Sequence, residues 1–241
     1  MISTENKTVG EAVAENPSLA AVFEKHRIDY CCHGDRPVEA VCRQLGLSFE
    51  ALLAEAKATR PAGESKDWTS AALTELADHI VSRHHSYLRT ALPSIDARLA
   101  KVLDAHAQAH GETLRPLKGT FEGLKAELTQ HMQKEEMILF PVVRAMEAAE
   151  KGSSAPPPAP GGSVDNPIRV MEHEHENAGR ALESMRQLTS DYALPADACN
   201  EFRVLYGQLE ELEGDLHIHI HLENNILFPK ASQLEERLLK R

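Results

Sequence analysis

Eleven residues occur twice in this chain in nearly the same form. HMQKEEMILFP runs from His131 to Pro141, and HIHLENNILFP runs from His219 to Pro229. Each copy places a Glu four residues after its first His and ends on Ile-Leu-Phe-Pro. On a helix, positions i and i+4 lie roughly 40° apart around the axis and about 6 Å apart along it, so both side chains aim at one point. A single His-x-x-x-Glu is usually a solvated helix face. The same pair twice inside one apolar frame points to two equivalent helices whose His and Glu face inward.

The other two helices of such an arrangement should match as well. His85 in SRHHSYLR and His175 in MEHEHENAGR precede the two copies by similar intervals. The chain therefore reads as two helical hairpins related by a pseudo-twofold. Each hairpin supplies one His from its first helix and a His-x-x-x-Glu from its second. The pooled donors are His85, His131, Glu135, His175, His219 and Glu223. Imidazole and carboxylate without thiolate suit iron, manganese or zinc. Two carboxylates able to bridge, with two imidazoles per metal, suggest a dinuclear centre.

The apolar periodicity supports this reading. Leu73, Leu76, Ile80 and Leu88 recur at helical spacing, and long helices are expected over 70–90, 112–148, 167–190 and 196–230. GSSAPPPAPGGS, from Gly152 to Ser163, breaks regular structure and marks a flexible connection within 149–166. No segment alternates with period two for long enough to make a sheet. The expected class is all-α, with residues 69–241 as a four-helix bundle.

Residues 1–58 form a separate small helical unit joined by a linker over 59–68. Thr8-Val9-Gly10-Glu11 fits a capping box. Asn16-Pro17 reads as a cap and first-turn Pro, Pro37 opens a helix carrying Val38, Val41, Cys42 and Leu45, and Ser48 caps another. The net charge of −11 disfavours nucleic acid or an anionic membrane as partner. No apolar run reaches the roughly 20 residues of a membrane span, and the N-terminus lacks a secretion signal, so a cytoplasmic protein is expected. Four cysteines, two of them adjacent, make a poor disulfide framework.

HMQKEE…ILFP and HLENNILFP resemble the hemerythrin-like bundle of the iron–sulfur cluster repair di-iron proteins. DYCCHG, from Asp29 to Gly34, resembles the paired-cysteine motif of that family's small N-terminal domain. The resemblance covers nearly the whole chain. It implies two non-haem iron ions in an oxo- and carboxylate-bridged centre, with the six donors above as ligands and Glu135 and Glu223 as bridges. Glu174 matches an acidic residue near the centre, and Cys31 and Cys32 match the thiol pair. These three are the candidate catalytic residues. The implied function is repair of clusters damaged by oxidative or nitrosative stress, with damaged iron–sulfur proteins or scaffolds as partners. Reduction of nitric oxide, or binding and sensing of oxygen or nitric oxide, are the alternatives, and a cysteine-linked homodimer stays open. Two bridging carboxylates leave a diferrous pair with a formal charge of +2, which suits a donor that gives up its iron.

The remaining polar residues are expected to stand apart from the site. Asp78 shares the face of His85 and could hydrogen-bond it. His79 and His84 are rotated away from it. His173, His217 and His221 lie on faces turned from the donors and should be exposed. Met132, Met137, Ile138, Leu139, Ile226 and Leu227 read as core. Phe140-Pro141 and Phe228-Pro229 read as packing and a kink in each copy. Cys42 and Cys199 read as buried, inert thiols. His33 is either an added ligand or a polar loop residue.

Overall fold

The computed structural model describes residues 7–58, 66–152 and 160–240. Residues 59–65 of the expected linker and 153–159 of the Pro-rich connection lie outside them. Among the described residues the chain is helical, and the only bridge of sheet type is an isolated one between Thr8 and Pro37. The residues cluster into two compact units.

One unit comprises, among the described residues, 79–142 and 160–216. It begins with a π-helical turn, Ile80–His85, which leads into α6, Ser86–Lys134. Lys125 lies 2.6 Å from Asp96, and His85 Nδ1 lies 2.6 Å from Glu136, 51 positions away. Along a straight helix that interval would span roughly 75 Å. The chain therefore reverses within α6, between Asp96 and Lys125, and makes a helical hairpin. Of the expected helices over 70–90 and 112–148, the parts inside this unit, 80–90 and 112–142, lie on its two limbs. The intervening residues continue them in helical conformation up to the reversal instead of forming a loop.

α8, Asp165–Leu188, and α9, Asn200–Leu222, as far as Leu216, supply the other helices of this unit. Leu88, Ile95, Leu99, Leu117, Phe121, Leu182, Met185, Phe202, Leu209 and Leu212 fill its interior. Each such side chain contributes about 1.5–3 kcal/mol when withdrawn from water. Polar ties also hold the helices together. Arg186 Nε donates to Glu213 at 2.8 Å, and Tyr192 Oη donates to the same carboxylate at 2.8 Å.

The other unit comprises, among the described residues, 7–58, 66–78, 143–152 and 217–240. Its N-terminal helices are α1 (Val9–Glu15), α2 (Leu19–Lys25), α3 (Val38–Leu45) and α4 (Phe49–Ala58). Thr8 and Glu11 form the expected capping box. Asn16-Pro17 instead forms a turn: Leu19 and Ala20 donate to the carbonyls of Asn16 and Pro17, and α2 starts after Ser18. α5 (Leu73–His79), α7 (Phe140–Glu150) and α10 (Phe228–Leu239) complete the helices. Two residues from α7 and α10 grip the start of α5. Glu147 accepts the amides of Leu73 and Thr74 at 3.2 and 3.1 Å, and Lys230 donates to the carbonyls of Thr69 and Ala71 at 2.9 and 2.6 Å. Burial raises the Glu147 pKa, but the hydrogen bonds from Thr74 and Leu73 and the charge of Lys151 outweigh it and leave the carboxyl below its ordinary value.

Both copies of the repeated motif adopt one backbone form. A π-helical turn begins at the Glu in each, Glu135–Leu139 and Glu223–Leu227, and the next residue, a Phe, is buried. Pro141 and Pro229 lack the amide that a regular α-helical turn would use at this point, which favours the wider turn. No helix of the described residues is long and apolar enough to cross a membrane.

Candidate metal centre

Four of the six expected donors lie in the unit of residues 79–142 and 160–216. His85 ends one π-helical turn and Glu135 begins the next, so both sit where the helix bulges. Glu135 is fully buried, and its two oxygens lie 3.2 Å from His85 Nε2 and 3.2 Å from His131 Nε2. His175, from α8, brings its Nε2 to 3.1 Å from His131 Nε2. His131, Glu135 and His175 thus bring donor atoms within 4.8 Å of one another. Phe140 stacks on the His85 ring at 5.9 Å and walls it from water.

The far side of each ring explains its orientation. His85 Nδ1 faces Glu136 at 2.6 Å, and His131 Nδ1 faces Glu174 at 2.9 Å. Arg89 and Lys134 pair with those two carboxylates in turn. The hydrogen bond from His131 is the largest cause holding the Glu174 pKa below its ordinary value; burial opposes it and Lys134 reinforces it. With Nδ1–H donated to a carboxylate, each ring turns its Nε2 lone pair toward Glu135. A lone pair facing a buried carboxylate oxygen at 3.2 Å is repulsive. A cation bound between them removes the repulsion, as does a second proton on each ring. The carboxylate–imidazole–metal relay is the usual way a ligating His is oriented, so this donor set fits a metal.

His219 and Glu223 lie in the other unit. Both are buried, with His219 Nε2 3.4 Å from Glu223 Oε1. The residues after Glu223 hold the thiol motif. Asn224 and Asn225 donate to the carbonyl of Cys31, each at 3.2 Å, and Asn225 also donates to that of Tyr30 at 3.1 Å. Cys31 is buried, Cys32 is partly exposed, and their sulfurs are 3.7 Å apart. Asp29 caps this turn, accepting both cysteine amides at 3.0 and 2.9 Å. The hydrogen bond to Cys32, together with burial, pushes the Cys31 thiol well above its ordinary pKa. Asp29, Cys31 and Cys32 form a group of donors that could hold a cation. His33 turns its Nδ1 to Asp29 at 2.6 Å.

The family model of the hemerythrin HHE cation binding domain matches residues 76–231, and a domain of unknown function (DUF542) matches residues 5–59. Iron-sulfur cluster repair protein YtfE of Enterobacter sp. (strain 638) is 36% identical over 226 residues, covering 94% of this chain and 96% of that one. Proteins of the same name from Musicola paradisiaca and Yersinia pseudotuberculosis are 38% and 37% identical, covering 93% and 94% of this chain and 96% of each relative. The chain belongs to the iron–sulfur cluster repair family of hemerythrin HHE proteins. The His and Glu clusters of this family member are compatible with a di-iron site.

Several expectations need correction. Asp78 is not the partner of His85; it pairs with Arg144, and Glu136 takes the imidazole. Glu136 was legible only as the residue after Glu135, because its reach to His85 depends on the hairpin. Met137 and Ile138 are exposed, at 78% and 42%, rather than core. His221 is buried rather than exposed, with Nδ1 3.3 Å from the Tyr30 carbonyl, and burial lowers its pKa to about 4. His217 is half-buried and donates to Glu24 at 2.7 Å. Both are covered by the N-terminal helices, which helix periodicity cannot show. Cys199 is exposed, and its thiol lies 3.1 Å from His106 Nε2. That hydrogen bond, with amides at the start of α9, lowers its pKa. His84 is buried against Asp215 at 3.1 Å, while His173 is exposed as expected.

Proposed function

We propose that this chain holds two iron ions through His85, His131, Glu135, His175, His219 and Glu223, with Glu135 and Glu223 bridging, and that it repairs damaged iron–sulfur clusters by giving that iron up. The name that the relatives bear, iron-sulfur cluster repair protein, supports the cellular role. The observation that carries the site is the buried Glu135 carboxylate, flanked at 3.2 Å by the Nε2 atoms of two rings whose Nδ1 atoms already face Glu136 and Glu174.

The chain's own residues set the terms of holding and release. Glu136 and Glu174 keep His85 and His131 in the ligating tautomer. Arg89 and Lys134 offset those two carboxylates. Two ferrous ions facing only Glu135 and Glu223 therefore keep a formal charge of +2, which favours giving up a cation over binding it permanently. Iron is the cargo in this reading. Asp29, Cys31 and Cys32 are the acceptor group through which it would leave, with Cys32 the more accessible thiol.

Metal content after anaerobic purification tests the site. Two irons per wild-type chain, lost in His131→Ala combined with His219→Ala, are expected. Zinc, or iron that ignores both substitutions, would overturn the assignment. The donor role is tested by incubating iron-loaded protein with an enzyme whose four-iron cluster has been damaged by peroxide. Recovered activity should track iron lost from this chain. Nitrous oxide formed from nitric oxide without iron loss would replace donation by catalysis.

A further inference from the structure

Asn225 lies two residues beyond Glu223 on the same π-helical turn. Its side-chain amide spends its donors on two consecutive carbonyls, those of Tyr30 and Cys31, at 3.1 and 3.2 Å. His221 and Asn224, from the same stretch of chain, add one donor to each of those carbonyls at 3.3 and 3.2 Å. The thiol-bearing turn is thus suspended from His221, Asn224 and Asn225 on one side.

The amide also sits in a slot. Gly10 and Gly34 are joined by a hydrogen bond from the Gly10 amide to the Gly34 carbonyl at 2.8 Å. A Cβ on Gly10 would stand 2.2 Å from Asn225 Oδ1, and one on Gly34 would stand 2.4 Å from it. Only glycine at both positions leaves room for the side chain. Gly34 is further constrained, because its Cβ would also meet the Tyr30 carbonyl at 2.8 Å. The conflict at Gly10 is chiefly with Asn225 itself. The first copy of the motif makes the same π-helical turn with Met137 in this place, so an amide is not needed for the turn to form.

We infer that Asn225 is a positioning residue that pins the Tyr30–Cys31 segment to the turn beginning at Glu223, so that the burial of Cys31 responds to metal occupancy of that turn. The pin itself stands on the contacts above. Its response to metal rests on the proposed iron site.

The test is alkylation of Cys31 and Cys32 in the reduced protein, followed site by site with iodoacetamide and mass spectrometry, with and without Fe(II). Releasing a locally closed segment should speed Cys31 alkylation about tenfold in metal-free Asn225→Ala and Asn225→Asp. The Asp variant keeps the shape but cannot donate to carbonyls. Iron should slow Cys31 alkylation about threefold in wild type and leave both variants unaffected. Rates within twofold of wild type in both metal-free variants would overturn the pin. Iron-loaded wild type reacting at the metal-free rate would overturn the response to metal. If wild type binds no iron, the metal site fails, and the metal-free comparison still decides the pin. Should both Asn225 variants unfold, Gly10→Ala replaces them: it displaces the amide from the other side and should also speed Cys31, and an unchanged rate overturns the pin.

Discussion

The two copies of the motif share a backbone and differ in the pair of residues just past the Glu. After Glu135 come Glu136 and Met137; after Glu223 come Asn224 and Asn225. In the first copy the carboxylate of Glu136 reaches back to His85, and Met137 stands exposed. In the second, two amides seize the carbonyls of the thiol turn, and Ile226 is buried where its counterpart Ile138 is exposed. A carboxylate orients an imidazole; an amide, with two donors and no charge, binds backbone. One duplicated frame therefore serves two purposes, and two residues decide which.

The largest test of this comparison removes the two carboxylates proposed to bridge. Glu135→Ala and Glu223→Ala should each cut bound iron to below half of the wild-type ratio, measured by metal analysis after anaerobic reconstitution. Loss from only one of them would break the equivalence of the copies. A smaller effect should separate the neighbours. Glu136→Gln should weaken iron binding roughly 10–100-fold, as loss of a carboxylate behind a ligating His does. Asn224→Ala should leave iron affinity within about threefold, since its amide serves backbone rather than imidazole. Competition with a chromogenic chelator measures both.

The helices downstream of the copies extend the contrast to pH. Glu147 takes amides at the start of α5, and Lys230 takes carbonyls just before it. The Glu147 carboxyl is lowered from 4.5 in the folded protein. Its contribution is therefore complete above that value and is lost as pH falls through the lower folded pKa. Thermal unfolding between pH 7 and pH 3 should show Glu147→Gln less stable at neutral pH and less sensitive to acid than wild type. Lys230→Met should lower stability without changing the acid limb. The smallest effect belongs to Met137→Lys. An exposed position in the first copy should shift unfolding by no more than about 0.5 kcal/mol, whereas a larger loss would show that this face is buried in an assembly.

Much of this was legible from residues alone because it is local. An i, i+4 pair converges on one point whatever surrounds it, so the duplicated His-x-x-x-Glu announced two helices and one kind of site. The capping box at Thr8 and Glu11 is equally local and formed as expected. His217 and His221 were misread because periodicity reports which residues share a face but not whether another segment covers it.

The all-α class, the doubled frame and the chemistry of six donors follow from residue types and spacing, since helix geometry and side-chain chemistry do not depend on distant contacts. Packing in three dimensions was needed to show that Glu136 holds a ring 51 positions away, that Glu174 holds another from α8, and that Asn225 fills a slot between Gly10 and Gly34. Those partners meet through the reversal of α6 and the docking of the N-terminal helices. Both depend on apolar burial summed over many residues, and no short motif records that sum.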